Sequence, residues 1–140
     1  MSDIDKPIIA VVDDDLELGS LIGKYLHSNG LICELSESGE RFLESDYLSA
    51  SFLALDVGLP GMDGFAVCRE LRNRSSIPII MLTAVSNDVD RILGLELGAD
   101  DYMMTKLFNP RELLGRIKAA LRRVQVGGEK TLRLTVSNSD

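Results

Sequence analysis

Phe52–Gly64 reads FLALDVGLPGMDG. Four apolar residues, Phe52 to Leu55, lead to a single acid, Asp56, and a turn follows that contains Gly58, Pro60, Gly61 and Gly64. A short continuous apolar run bounded by turn residues reads as a strand buried on both faces. Such a strand ends on a carboxylate here, beside glycines that let main chain approach closely. That pattern points to a use for Asp56 beyond packing.

Outward from this stretch the same grammar repeats. IIAVV (Ile8–Val12) is a β-branched run stopped by Asp13, Asp14 and Asp15. Leu31–Leu35, Ile77–Leu82 and the weaker Asp100–Thr105 read as further strands. Between them lie apolar residues at helical spacing. These predict helices over Leu16–Leu26 with Gly30 as the stop, Gly39–Leu48, Phe65–Arg74, Asp88–Leu97 closed by Gly98, and Pro110–Val124. Five apolar strands alternating with five amphipathic helices predict an α/β fold, a doubly wound five-stranded parallel sheet in a three-layer αβα arrangement. Sheets of this kind carry their sites at the carboxyl ends of the strands.

Asp13 and Asp14 follow the first strand, Asp56 ends the third, Thr83 ends the fourth and Lys106 follows the fifth. A parallel sheet brings all five to one edge. Carboxylates gathered there repel, by about 4 kcal/mol for two unit charges about 4 Å apart at an effective dielectric near 20. An all-oxygen donor set suits Mg²⁺, which takes one or two carboxylates together with water and phosphate oxygens. Asp56 is then a candidate nucleophile, since carboxylates form aspartyl-phosphates. Lys106 is placed to neutralise a transferring phosphoryl group, and Gly58 to turn a main-chain carbonyl toward the metal.

Composition narrows the classes. The 140 residues amount to about one domain, with 45% hydrophobic residues. Lys plus Arg number 15 against 22 Asp plus Glu, a net charge of -7. An acidic domain is a poor direct ligand for nucleic acid, whose phosphates draw on Lys and Arg. Cys33 and Cys68 stand apart with no His–Cys cluster and read as small core residues. His27, the one histidine, reads as a helix-surface residue. No apolar run reaches about 18 residues and the N-terminus lacks an apolar signal core, so the expected location is the cytoplasm, with no membrane partner.

AVVDDD, LALDVGLPGMDGF, PIIMLTA, DRILGLELGADDY and FNPRELLGRIKAALRR together resemble the receiver domain of bacterial two-component response regulators, the last two motifs its OmpR/PhoB subfamily. The resemblance implies a flavodoxin-like strand order, 2-1-3-4-5, for a receiver domain over residues 6–124. It implies that Asp56 accepts a phosphoryl group from a histidine kinase, that Asp14 and Asp56 hold Mg²⁺ directly with Asp13 acting through water, and that Gly58 lends its carbonyl. It further implies that Lys106 and Thr83 bind the phosphoryl oxygens while Tyr102 turns inward with Thr83. Phosphorylation then promotes a homodimer through Arg91, Ile92, Leu95, Glu96, Asp101, Glu112, Leu114, Arg116 and Lys118. The cross-dimer pairs are Arg91–Glu112, Glu96–Lys118 and Asp101–Arg116. Residues 125–140 are expected to be a linker and the start of a C-terminal winged-helix DNA-binding domain, through which alone the protein would reach DNA. A disordered or vector-derived tail is the bland alternative.

DDYMMTKLF departs from the subfamily pattern, with one extra residue between Tyr102 and Lys106 and Leu107 where proline is usual. An inserted residue flips every later side chain unless a bulge restores the register. The expectation is a bulge at Met103 or Met104, a trans bond before Leu107, and Lys106 still reaching Asp56. This departure also motivates the alternative reading, a pseudo-receiver interaction module with impaired phosphorylation. Other classes lack a needed residue. A haloacid-dehalogenase-type phosphatase wants an acid where Gly58 stands. A P-loop enzyme needs a G-x-x-x-x-G-K loop, and an FMN binder needs a phosphate loop where DDDLELG would repel phosphate.

Overall fold

The computed structural model describes residues 6–84, 88–104 and 109–123. The chain divides into two units, residues 1–110 and 111–140. In the first, five strands alternate with four helices: β1 (Ile8–Val12), α1 (Leu16–Ser28), β2 (Ile32–Ser36), α2 (Gly39–Glu44), β3 (Phe52–Asp56), α3 (Gly64–Arg72), β4 (Ile79–Thr83), α4 (Asp88–Glu96) and β5 (Asp101–Met104). A further helix, α5, spans residues 110–123. The sheet is all parallel in the order β2-β1-β3-β4-β5, the order implied by the resemblance.

Both faces of β1, β3 and β4 are covered, which is why these strands read as unbroken apolar runs, while the edge strands β2 and β5 are partly exposed. Ala10, Val12, Leu53, Leu55, Ile79 and Met81 form one core with Phe42 of α2 and Val67, Cys68 and Leu71 of α3. Residues of opposite parity, Ile9, Val11, Phe52, Ala54, Ile80 and Leu82, are equally buried. On that second face α1 lies over β2, its Gly19 against Leu35 and its Gly23 against Cys33. Helix ends follow local chemistry. Asp15 caps α1 by accepting from Leu18 N at 3.1 Å, and Asp63 caps α3 by accepting from Ala66 N at 2.9 Å.

The opposite edge of the sheet is tied by one arginine. Arg72 donates to Gly98 O at 2.9 Å, Ser75 O at 3.2 Å and Asp100 Oδ2 at 3.0 Å. The same Asp100 oxygen accepts from Ile79 N at 2.8 Å. The end of α3, the start of β4 and the α4–β5 turn therefore share one ion pair. The turn depends on Gly98, whose φ is +115° and where a side chain would strike Arg72.

Two sequence expectations are corrected. The helix expected over 39–48 is a short α2 followed by a separate 3₁₀ turn at Tyr47–Ser49. Ser45 ends α2 because both its N–H and its hydroxyl turn back to Phe42 O. No bulge occurs at Met103 or Met104: Tyr102, Met103 and Met104 pair one to one with Met81, Leu82 and Thr83. Burial explains the regular register, since Met103 is 4% exposed and a slip there would turn it to the other face. Leu114 of α5 is 7% exposed. The bond before Leu107, the position of Lys106 and the segment 125–140 lie outside the described residues.

Candidate functional site

The carboxyl edge of the sheet collects its acids through backbone bonds that continue the ladder. Asp13 N donates to Ser36 O at 3.1 Å, and Val57 N donates to Leu82 O at 2.9 Å. These bonds pin the first residue beyond β1 and beyond β3, which sets Asp13 and Asp56 side by side. Asp13, Asp14 and Asp56 each bring a carboxylate oxygen to within 4.8 Å of the others. Asp13 is buried at 3% exposure, Asp56 is half-buried and Asp14 is exposed.

Burial shapes the charge of this trio. Burial pushes the Asp13 carboxyl above its ordinary range, against the hydrogen bond from Asp15 N at 2.8 Å and with added repulsion from Asp14. Asp56 is pushed up to about 6, chiefly by burial, with repulsion from Asp13 and Asp14 adding to it. The one opposing group is the Gly58 N–H, which donates to Asp56 Oδ1 at 3.1 Å. Gly58 thus touches the nucleophile candidate through its N–H, a contact made in addition to the metal-facing carbonyl expected from the sequence.

The turn after β3 is held by close backbone approach. Gly64 N donates to Val57 O at 3.0 Å. A Cβ on Gly64 would lie 2.5 Å from Asp56 O and 2.8 Å from Val57 Cα. Of the glycines quoted from this stretch, Gly64 is the one on which main chain closes directly behind Asp56.

The remaining expected residues divide by location. Thr83 ends β4 at 8% exposure. Tyr102 is half-buried against the core beside Gly94 of α4, and its hydroxyl is buried with no hydrogen-bond partner among the described residues. On α4, Arg91, Ile92, Leu95 and Glu96 are exposed, and Gly94 is its one buried residue. Arg91 sits 3.9 Å from Asp88 of its own helix. Asp101 accepts from Tyr102 N at 2.8 Å. On α5, Glu112 and Arg116 pair at 2.9 Å and Lys118 is exposed. The sequence reading missed that Asp15 does more than cap a helix: its N–H also orients Asp13. Residue type carried no signal of this, because every residue but proline has that N–H.

An all-oxygen trio on one edge of a parallel sheet matches what a hard divalent cation requires. The chain matches the family model described as the response regulator receiver domain over residues 9–118. It is 49% identical over 121 residues to the transcriptional regulatory protein GltR of Pseudomonas aeruginosa, covering 84% of this chain and 50% of that protein. It is 42% identical over 139 residues to the probable transcriptional regulator ycf27 of Cyanophora paradoxa, covering 99% and 56%. The chain thus spans about half the length of these curated relatives. Among solved structures it is similar to the BeF3-activated receiver domain of Klebsiella pneumoniae RstA, at 38% identity and a TM-score of 0.77 over 82% of this chain and 98% of that one. It is also similar to DrrB, a Thermotoga maritima OmpR/PhoB homolog, at 34% identity and a TM-score of 0.77 over 84% and 54%. With sheet order, edge acids and these relatives in agreement, the chain belongs to the response regulator receiver domain family, of the OmpR/PhoB type.

Proposed function

We propose that Asp56 is the phosphoacceptor of this receiver domain. The observation that carries the reading is the trio itself, with three carboxylate oxygens within 4.8 Å and Asp56 at the end of a buried strand. In the transfer, a carboxylate oxygen of Asp56 forms a bond to phosphorus. The bond from phosphorus to the donor breaks, and the donor leaves with the electron pair. The donor is a phosphohistidine of a sensor kinase or a small acyl phosphate. Asp13, Asp14 and Asp56 would hold Mg²⁺, which when bound supplies positive charge to offset the phosphoryl oxygens. Gly58 N–H orients Asp56, and Thr83 and Lys106 are the proposed partners of the phosphoryl group. Incubation with acetyl phosphate and Mg²⁺ is expected to add the mass of one phosphoryl group, lost again in mild base. An unchanged intact mass would overturn the proposal.

The metal reading has its own expected result. Asp14→Ala should weaken Mg²⁺ binding about tenfold or more, because so few protein ligands are available. Calorimetric titration checks this, and an unchanged affinity would place the metal elsewhere. Asp14 is exposed, so its loss should leave the fold intact.

The proposed output is a phosphorylation-dependent homodimer that controls transcription through a C-terminal DNA-binding domain. The relatives named as transcriptional regulators support that class of output. Support for the dimer comes from α4, which leaves Ile92 51% and Leu95 42% exposed. Exposed charge pairs are individually worth under about 1 kcal/mol, so the apolar pair would carry the affinity and the charges the register. Arg91→Glu places like charges on both sides of the two-fold and is expected to weaken dimerisation of the beryllofluoride-activated protein about tenfold or more in light scattering. A dimer of unchanged stability would exclude this face. Among the described residues no helix is long and apolar enough to cross a membrane.

A further inference from the structure

The turn that carries Gly58 is gripped from outside the edge by the start of α2. Two contacts converge on the main chain of Met62. Its N–H lies 3.4 Å from Glu40 Oε2. Its carbonyl oxygen would lie 3.2 Å from a Cβ on Gly39, and that Cβ would also overlap Val67 Cγ2 of α3. Gly39 therefore lets the helix start come down onto the turn, and Glu40 then reaches across it. The neighbouring Gly61 is part of the same fit. Its φ is +70°, and a Cβ there would stand 2.7 Å from Glu40 Oε2. The Glu40 carboxylate thus lies against the main chain at Gly61–Met62, in space that a side chain at position 61 would take.

Arg41, the cation next to Glu40 in sequence, is paired with another acid, Glu37, at 3.6 Å. Glu40 sits in the first turn of α2, where the helix dipole favours an acid.

We infer that Glu40 is a positioning residue of the acceptor site. It holds the β3–α3 turn by the Met62 N–H, and so holds the Gly58 N–H that orients Asp56. The turn is otherwise anchored near Asp56 by the Gly58 N–Asp56 Oδ1 bond and at its base by the Gly64 N–Val57 O bond. Glu40 adds the anchor at the outer end of the loop. Outer partners of metal ligands typically change affinity or activity by about 10- to 100-fold when removed, and Glu40, one contact further out through Met62, is expected at the lower end. This role rests on the reading of Asp56 as the acceptor.

The test compares wild type, Glu40→Ala, Glu40→Gln and Asp56→Asn in the whole chain. Phosphorylation by saturating acetyl phosphate is followed by intact mass, and the amide signals of Gly58 and Met62 by ¹H–¹⁵N NMR without phosphodonor. Glu40→Ala is expected to slow saturated phosphorylation about tenfold and to shift the Gly58 amide as well as that of Met62. Glu40→Gln keeps an acceptor oxygen and should recover most of the rate and the wild-type Gly58 shift. An unchanged rate in Glu40→Ala overturns the inference. So does a slow variant whose Gly58 amide stays in place, or a Glu40→Gln protein no better than Glu40→Ala. The Asp56→Asn arm is separate: labelling that survives it removes the acceptor reading, whatever the amide shifts show.

Discussion

Asp56→Asn is expected to abolish phosphoryl incorporation and, at the same time, to make the metal-free protein more stable at neutral pH. The first effect follows from chemistry, since an amide offers no anionic oxygen to attack phosphorus. The second follows from burial, which raises the Asp56 carboxyl from 3.8 to about 6. Between those values the folded state binds more protons than the unfolded chain, so unfolding free energy falls as pH rises through the window. The stability contributed by the protonated acid is complete below about pH 4 and lost above about pH 6. Asparagine carries no charge to desolvate and removes the penalty. The gain at pH 7.5 is on the order of 1 kcal/mol after allowing for solvent screening of a half-exposed group. Urea unfolding in chelator at pH 4 and pH 7.5 reads it: the variant should match wild type at the lower pH and exceed it at the higher. Equal differences at both would mean that the Asp56 charge is not disfavoured by folding. Residual labelling of the variant would move the acceptor to another residue.

Gly64→Ala is expected to destabilise the fold by about 3 kcal/mol, at the upper end for overpacking. The reason is the identity of the atoms it meets. A methyl group there would lie 2.5 Å from Asp56 O, 2.8 Å from Val57 Cα and 3.1 Å from the Asp56 carbonyl carbon, all of them backbone. No rotamer change relieves that contact. Either α3 moves away from β3 or the end of β3 shifts, and both displace the acid that β3 presents. Gly115 on α5 is the control, because a Cβ there meets nothing within 4 Å. Alanine in that open helical position should instead stabilise by up to about 1 kcal/mol. Chemical denaturation of the two variants tests the contrast, and a Gly64→Ala protein as stable as wild type would contradict the close approach.

The two halves of the site differ in how far they can be read from residues in order. Asp13, Asp14, Asp56 and Thr83 each end or directly follow an apolar run, so a parallel sheet delivers them to one edge whatever the details. Glu40 could not be read that way. In GERFLE it is one of two glutamates on a surface helix, 22 residues from the Met62 N–H it faces. Arg72 and Asp100 are 28 residues apart, and neither belongs to a motif that calls for the other. The bulge expected at Met103 or Met104 illustrates the opposite error. Counting residues showed that one had to be absorbed. It could not show where, because the ladder to β4 and the burial of Met103 hold the strand regular through Met104.

What the sequence determined by itself was the alternation of strand and helix and the order of acids along it. Both follow from local rules, since burial on two faces demands unbroken apolar runs in the central strands and charge collects where those runs end. The tertiary structure alone decided how each residue serves the edge. It set Gly64 behind Asp56, turned the Gly58 N–H onto the carboxylate, buried Asp13 and left Asp14 in solvent. Those outcomes depend on distances between elements remote in sequence. Close approach, desolvation and repulsion change over a few ångströms, a scale that residue type and spacing do not specify.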